Sequence, residues 1–336
     1  MLDEAREAPD AAARLLAADD ALYAALGEDL RAKPPQALLT IARGSSDHAA
    51  HYMAYLVMAR LGRLVTSLPM SLVTLYQSRL QREGLVSLAF SQSGRSHDLV
   101  VPTRYFRAGG SRTVAFVNDT ASPLAEAAQW VFDLHAGPER SVAATKSYIA
   151  QLVAGARLVA AWQEDSVLQR ALLALPAALE RALGHDWRSA GDAVTDADRL
   201  LVVSRGLGQA IAMEAALKLK ELCGIQAEAI SSAELRHGPI ALVDEGYPVL
   251  VFALRGPAQA DLLALTEDLR RRGARVLLAA PVETAQSELP LATSDAEELD
   301  PILAIQSFYP MVEALARARG RDPDTPPHLA KVTVTR

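Results

Sequence analysis

Along most of the chain, short apolar runs alternate with stretches of helical spacing. ALLTIA (37–42) ends in Arg43-Gly44, and the helical stretch DHAAHYMAYLVMARLG follows. LVSLAF (85–90) leads into the polar loop SQSGRSH and a helix from Asp98. TVAFV (113–117) is the next strand, and residues 145–162 are again helical. Short, mainly apolar runs alternating with helices predict strands covered on both faces, as in the parallel sheets of βαβ units. The same grammar then restarts. LLVVSRG (200–206), PVLVFALRG (248–256) and RVLLAA (275–280) are strands, the first two followed by the helices LGQAIAMEAALKLKELCG and AQADLLALTEDLRRRG. The landmarks keep register: 206 − 44, 256 − 94 and 276 − 114 each give 162, for Gly206/Gly44, Gly256/Gly94 and Val276/Val114. The pattern predicts an α/β protein of two tandem parallel-sheet α/β halves, related by internal duplication, with helices on both faces.

The boundaries follow from the same reading. Residues 1–36 form an N-terminal helical segment, 37–162 the first half, 163–195 a helical connection, 196–318 the second half and 319–336 a C-terminal tail. The tail is Pro-rich, but Leu329, Val332 and Val334 alternate in a way that predicts packing. The repeat is asymmetric. Hydroxyls crowd the strand ends of the first half (Gly44-Ser45-Ser46 and SQSGRS), whereas Glu214, Lys218 and Glu221 occur only in the second. Divided labour of this kind predicts an enzyme site built from both halves.

Composition changes the picture mainly by exclusion. With 34 Lys and Arg against 40 Asp and Glu, the net charge of −6 lacks the basic footprint of a nucleic-acid binder. The single cysteine, Cys223, excludes an intrachain disulfide and a cysteine-based zinc site. The acidic start MLDEAREAPDAAARLL does not resemble a signal peptide, and no 18-residue apolar run occurs. The expectation is a cytoplasmic protein with no membrane partner.

Three motifs carry candidate chemistry. SQSGRS lies between a strand end and a helix start, where free N–H groups, the helix dipole and hydroxyls suit an anion such as a phosphate monoester. The alternative is a serine-rich turn that merely caps the helix. Glu214, Lys218 and Glu221, spaced i, i+4, i+7, share one helix face. Such triplets are usually solvated, but a carboxylate aimed by a lysine also suits removal of a proton α to a carbonyl. His237, on a Gly-Pro turn in AELRHGPIAL, is either a surface histidine or a proton carrier between two oxygens. His48 and His51 have no third ligand at suitable spacing, so no metal is expected. No GxGxxG, P-loop or GxSxG motif is present.

Together, GSS (44–46), SQSGRS (91–96), GPE and ATK (137–139, 144–146), EAALKLKE (214–221), ELRHGPIAL (234–242) and HLAKVT (328–333) resemble the sugar isomerase (SIS) family. The resemblance extends from about residue 37 to 336. It is closest to the isomerase half of glucosamine-6-phosphate synthase and to its stand-alone relatives, the second class of glucosamine-6-phosphate deaminases. It implies phosphate binding at Ser46, Ser91, Gln92, Ser93 and Ser96, with Gly44 and Ser45 in the same cradle. It implies that Glu221 is the base moving a proton between C1 and C2. His237 is then the ring-opening histidine, donated across a homodimer interface, and Lys331 the tail lysine that closes over the sugar. Glu214, Lys218, Glu139 and Thr145 are supporting positions, Lys218 near the substrate. No metal or organic cofactor is implied.

There are departures. Arg95 stands where the family often has Glu, and Ala144 where the synthase has Ser. Lys331 runs straight into Val332-Thr333, as in catabolic members. No glutaminase segment with a leading cysteine precedes the first strand. The expected activity is therefore conversion of glucosamine 6-phosphate and water to fructose 6-phosphate and ammonia without glutamine. The alternatives are an aldose–ketose sugar-phosphate isomerase, a ketosamine-phosphate deglycase, or a non-catalytic sugar-phosphate sensor that would have no need of Glu221, His237 and Lys331.

Overall fold

The computed structural model describes residues 1–331. The chain divides into two compact units. One comprises Asp10–Glu139, Lys146–Leu173 and the tail from Leu329; the other comprises Met1–Pro9, Arg140–Thr145 and Ala174–His328. The N-terminal segment is three helices, α1 (Leu2–Arg6), α2 (Ala8–Ala17) and α3 (Asp20–Ala32). Asp19, at φ +61°, turns the chain between the last two, a left-handed conformation that Asp tolerates better than most residues.

The first unit is built on five parallel strands: β1 (Ala37–Ile41), β2 (Val65–Ser67), β3 (Leu85–Ser91), β4 (Arg112–Val117) and β5 (Trp130–Asp133), in the order β2-β1-β3-β4-β5. Its helices are α4 (Ser45–Leu61), α5 (Ser71–Thr74), α6 (His97–Ala108), α7 (Pro123–Ala127) and α8 (Lys146–Gln163). The mainly apolar runs have the predicted cause. On one face Leu39, Ile41, Ala89, Ala115 and Val117 pack with Leu99, Val100 and Phe106 of α6. Between these positions Phe90 and Phe116 stack at 4.7 Å between centroids, Phe116 and Phe132 at 5.3 Å, and Tyr23 of α3 meets Phe132 at 4.4 Å. Successive side chains of a strand point to opposite faces, so both faces demand apolar residues.

The second unit contains β6 (Arg199–Ser204), β7 (Gln226–Ser231), β8 (Pro248–Phe252), β9 (Arg275–Pro281) and β10 (Leu289–Leu291), again all parallel, in the order β7-β6-β8-β9-β10. Before it run α9 (Ser166–Leu183) and α10 (Arg188–Ala193), and its helices are α11 (Gly208–Lys218), α12 (Ser232–Arg236), α13 (Gln259–Arg271) and α14 (Asp300–Ala318). Strand for strand, this order repeats that of the first sheet, so the tandem halves expected from the repeated landmarks are present. The segment read as one helix through Glu221 is not uniform. Past Lys218 it continues as a π turn, Leu219–Cys223, closed by Gly224 at φ +63°. Among the described residues no helix is long and apolar enough to cross a membrane.

Candidate active site

In the first unit, β1 and β3 are neighbours, with Ile41 opposite Ala89. Their loops therefore leave the same carboxyl edge of the sheet, where ligands of open α/β sheets bind. The first loop turns at Gly44 (φ +54°), the N-cap of α4, and places Ser45 and Ser46, both half-buried, in the first turn of that helix. The second runs from Ser91, the last residue of β3, through Gln92, Ser93, Gly94 and Arg95 to Ser96, the N-cap of α6. Ser91 Oγ accepts from the Gly94 N–H at 3.0 Å and Ser93 Oγ from the Arg95 N–H at 3.4 Å. The Ser96 hydroxyl makes no cap hydrogen bond to its own helix. A hydroxyl that accepts still has its proton to give.

Any side chain at Gly94 would be strained. Its φ is +63°, and a Cβ there would lie 2.0 Å from Ser122 Oγ, which is itself fixed as the N-cap acceptor of α7. The loop's cations are already matched. Arg43 Nε donates to Asp98 Oδ2 at 2.8 Å, and Arg95 Nη2 to Asp119 Oδ2 at 2.8 Å. Gly44, Ser45, Ser46, Ser91, Gln92, Ser93 and Ser96 thus share two neighbouring loops that offer hydroxyls and two helix N-termini, an arrangement that suits an oxyanion.

Also in this unit, the fully buried Glu139 carboxylate accepts from the Ser147 N–H at 3.1 Å and the Ser147 hydroxyl at 2.6 Å. It also accepts from Lys331 Nζ at 3.1 Å, so the structure brings Glu139 and Lys331 together. Val332, Thr333 and Val334 of the tail motif lie outside the described residues. Thr145, the last residue of the Arg140–Thr145 segment that belongs to the second unit, is fully buried.

In the second unit, Glu214 and Lys218 of α11 are fully buried, and Glu221 lies in the π turn. Lys218 Nζ is 3.3 Å from Glu214 Oε1 and donates to Glu221 Oε2 at 2.7 Å. Burial alone would pull the ammonium pKa down. The two facing carboxylates outweigh it and hold the pKa above the usual lysine value, so Lys218 is a permanent cation. The Glu221 side chain is 23% exposed, against 0% for Glu214, so it is the carboxylate of the pair that a substrate can reach. Elsewhere in this unit, Asp261 accepts from Ser232 Oγ at 2.7 Å and pairs with Arg236 and Arg205, clamping α12. The hydroxyl of Ser232, then Arg236, hold the Asp261 carboxyl below its ordinary value. His237 follows α12 as its C-cap, exposed and with no side-chain partner among the described residues. The structure does not join it to the Glu214–Lys218–Glu221 group by any hydrogen bond.

Burial, the largest influence on each, raises the Asp47 pKa and lowers that of His51. Among the described residues no group of three or more His, Cys, Asp or Glu side chains could hold a metal. The sequence reading passed over Asp98, Ser147 and Gln151, which donates to Ser46 Oγ at 3.0 Å. For Gln151 there was a signal: it is a lone amide inside the apolar stretch SYIAQLVAGA.

The profile of the SIS domain matches residues 33–161 and 193–300. The chain belongs to the SIS-domain family. This SIS chain is 41% identical to a candidate phosphosugar isomerase from Silicibacter pomeroyi DSS-3, with a TM-score of 0.90 over 96% of this chain and 98% of that one. It is 33% identical over 312 residues to the isomerising glutamine–fructose-6-phosphate aminotransferase of Zymomonas mobilis, covering 88% of this chain and 51% of that protein. The SIS chain spans about half the length of the curated relatives it matches. The glucosamine-6-phosphate deaminase of Thermotoga maritima shares the fold, at a TM-score of 0.77 and 20% identity, over 99% of each chain. The likeness of this SIS protein therefore runs to phosphosugar isomerases and isomerising aminotransferases.

Proposed function

We propose that this chain binds a hexose 6-phosphate, moves a proton between its C1 and C2, and releases ammonia when C2 carries an amino group. Its substrate in this reading is glucosamine 6-phosphate, and its products are fructose 6-phosphate and ammonia. One observation carries the reading: a reachable carboxylate, Glu221, is held at 2.7 Å by a buried lysine that a second carboxylate keeps charged. A base fixed in this way has no role in passive sugar-phosphate sensing. The relatives act on, or are described as isomerising, phosphosugars, and the aminotransferase among them handles fructose 6-phosphate and an amino group.

The steps balance without a cofactor. His237, contributed by a second copy of the chain, helps open the pyranose. In the open-chain aldehyde the C2–H is acidic, and Glu221 takes that proton and returns it at C1. The C1 oxygen gains the proton that the C2 amine gives up, so C1 becomes a primary alcohol and C2 an imine. Water adds to the imine, and ammonia leaves to give the ketone. The two serine loops hold the phosphate, so that binding energy from the far end of the sugar orients the reacting carbons. Lys331, paired with Glu139, closes the tail over the sugar.

Incubation with glucosamine 6-phosphate, with ammonia and fructose 6-phosphate measured together, tests this. One-to-one formation is the expected result. Turnover confined to 2-hydroxy aldose phosphates, with no ammonia, assigns the same base to a plain aldose–ketose isomerase instead.

A further inference from the structure

Gln151 sits in the middle of α8, where every residue from 146 to 160 is buried, and is itself 1% exposed. Its neighbours along the helix, Ile149, Ala150, Leu152 and Val153, are apolar. The amide uses only one side. Nε2 donates to Ser46 Oγ at 3.0 Å, while Oε1 has no hydrogen-bond partner among the described residues. A buried carbonyl without a donor costs stability, and an apolar side chain of similar volume would avoid that cost. The position is therefore not tuned for packing.

What the amide does is fix the direction of a proton. Ser46 has one proton to give and lone pairs to offer. With one lone pair occupied by the Gln151 N–H, the hydroxyl turns its own proton away from α8. The chain amide, hydroxyl, anion then runs in one direction, each bond polarising the next. With the opposite arrangement, an acceptor at position 151, the Ser46 proton would be consumed inside the protein. We propose that Gln151 is a positioning residue that keeps Ser46 a donor to the bound phosphate. This rests on reading the Gly44–Ser46 loop as part of the phosphate cradle.

The test compares the parent with Gln151→Met, Ser46→Ala and the double variant, by calorimetric titration with fructose 6-phosphate and by thermal melting. Gln151→Met should melt no lower than the parent, because it removes a buried orphan acceptor, yet bind fructose 6-phosphate about tenfold more weakly, the equivalent of one good hydrogen bond. In the Ser46→Ala background the same change should cost less than about twofold, since there is no hydroxyl left to aim. Loss of stability and of binding together would mark Gln151 as a packing residue and overturn the inference. So would losses that multiply in the double variant, or Gln151→Met binding within about twofold of the parent. If Ser46→Ala alone binds as the parent does, the cradle reading itself fails, and this shows in an arm that leaves Gln151 untouched.

Discussion

Replacing Lys218 by Met should turn a silent buried carboxylate into a pH-dependent load on the fold. The substitution keeps the bulk of the side chain but removes the ammonium that faces Glu214, whose side chain is 0% exposed. A carboxylate there without its cation is too costly to keep charged, so Glu214 takes a proton instead. Holding a carboxyl with an unfolded pKa near 4.3 neutral at pH 7.5 costs about 1.36 × 3.2, or about 4 kcal/mol. That agrees with the 3–5 kcal/mol (roughly) seen when one partner of a buried pair is removed. The sign follows from the raised folded pKa of the carboxyl in the variant. Its penalty is absent at low pH and grows by about 1.4 kcal/mol per unit as pH rises above the unfolded value, falling to about 1.6 kcal/mol at pH 5.5. In the parent, the raised pKa of Lys218 means its contribution is constant below the ordinary lysine range and is lost only above it. Urea unfolding at pH 5.5, 6.5 and 7.5, followed by tryptophan fluorescence, reads the difference directly. Adding Glu214→Gln should flatten the slope and recover much of the stability. Parallel pH profiles for parent and variant, or no recovery on adding Glu214→Gln, would refute the buried-charge argument.

Three other expectations are simpler. Gly94→Ala places a Cβ 2.0 Å from Ser122 Oγ at a left-handed φ, so strain and overpacking together should cost about 2–5 kcal/mol in thermal unfolding; a loss under about 1 kcal/mol would show that the loop rearranges freely. A mixture of Glu221→Gln and His237→Ala proteins, each inactive alone, should regain activity once subunits exchange; continued inactivity, with exchange shown by mass spectrometry, rejects donation of His237 by a second copy. Asp261→Asn should cost about 1 kcal/mol at neutral pH, and because the parent carboxyl is held below its ordinary value, the gap should close as pH falls below about 4. A gap that persists at pH 3 contradicts the assignment.

The central strands were legible because burial on both faces leaves few polar positions: β1, β3, β4, β6, β8 and β9 read as mainly apolar runs, broken inside only by the small buried hydroxyls Thr40, Ser87 and Thr113. The edge strands were not. VTS of β2, QAEAIS of β7 and LPL of β10 are short, polar or interrupted by Pro, because only one neighbour and less of the core constrain them. The serine loops and the Glu214–Lys218–Glu221 spacing could be found from residue types alone. The π turn could not, since α-helical spacing already put the three charges on one side and nothing in LKELC signals the extra residue per turn. The pairings of Glu139 with Lys331, and of Gln151 with Ser46, join residues 192 and 105 positions apart, which no local pattern encodes.

The matched arginines of the serine loops bear on how a ligand arrives. Arg43 and Arg95 each face a carboxylate at 2.8 Å, and the chain as a whole carries −6, so in the proposed reading neither guanidinium is left over to draw a phosphate in from a distance. Beyond a Debye length of about 8 Å any residual field is screened as well. Capture in that reading rests on diffusion and orientation rather than on steering by these two arginines. Discrimination also shifts from quantity of charge to its shape. In the same reading, polyanions that adhere through summed charge gain nothing from these arginines, whereas a single tetrahedral oxyanion small enough to seat between two helix starts would find its donors on contact.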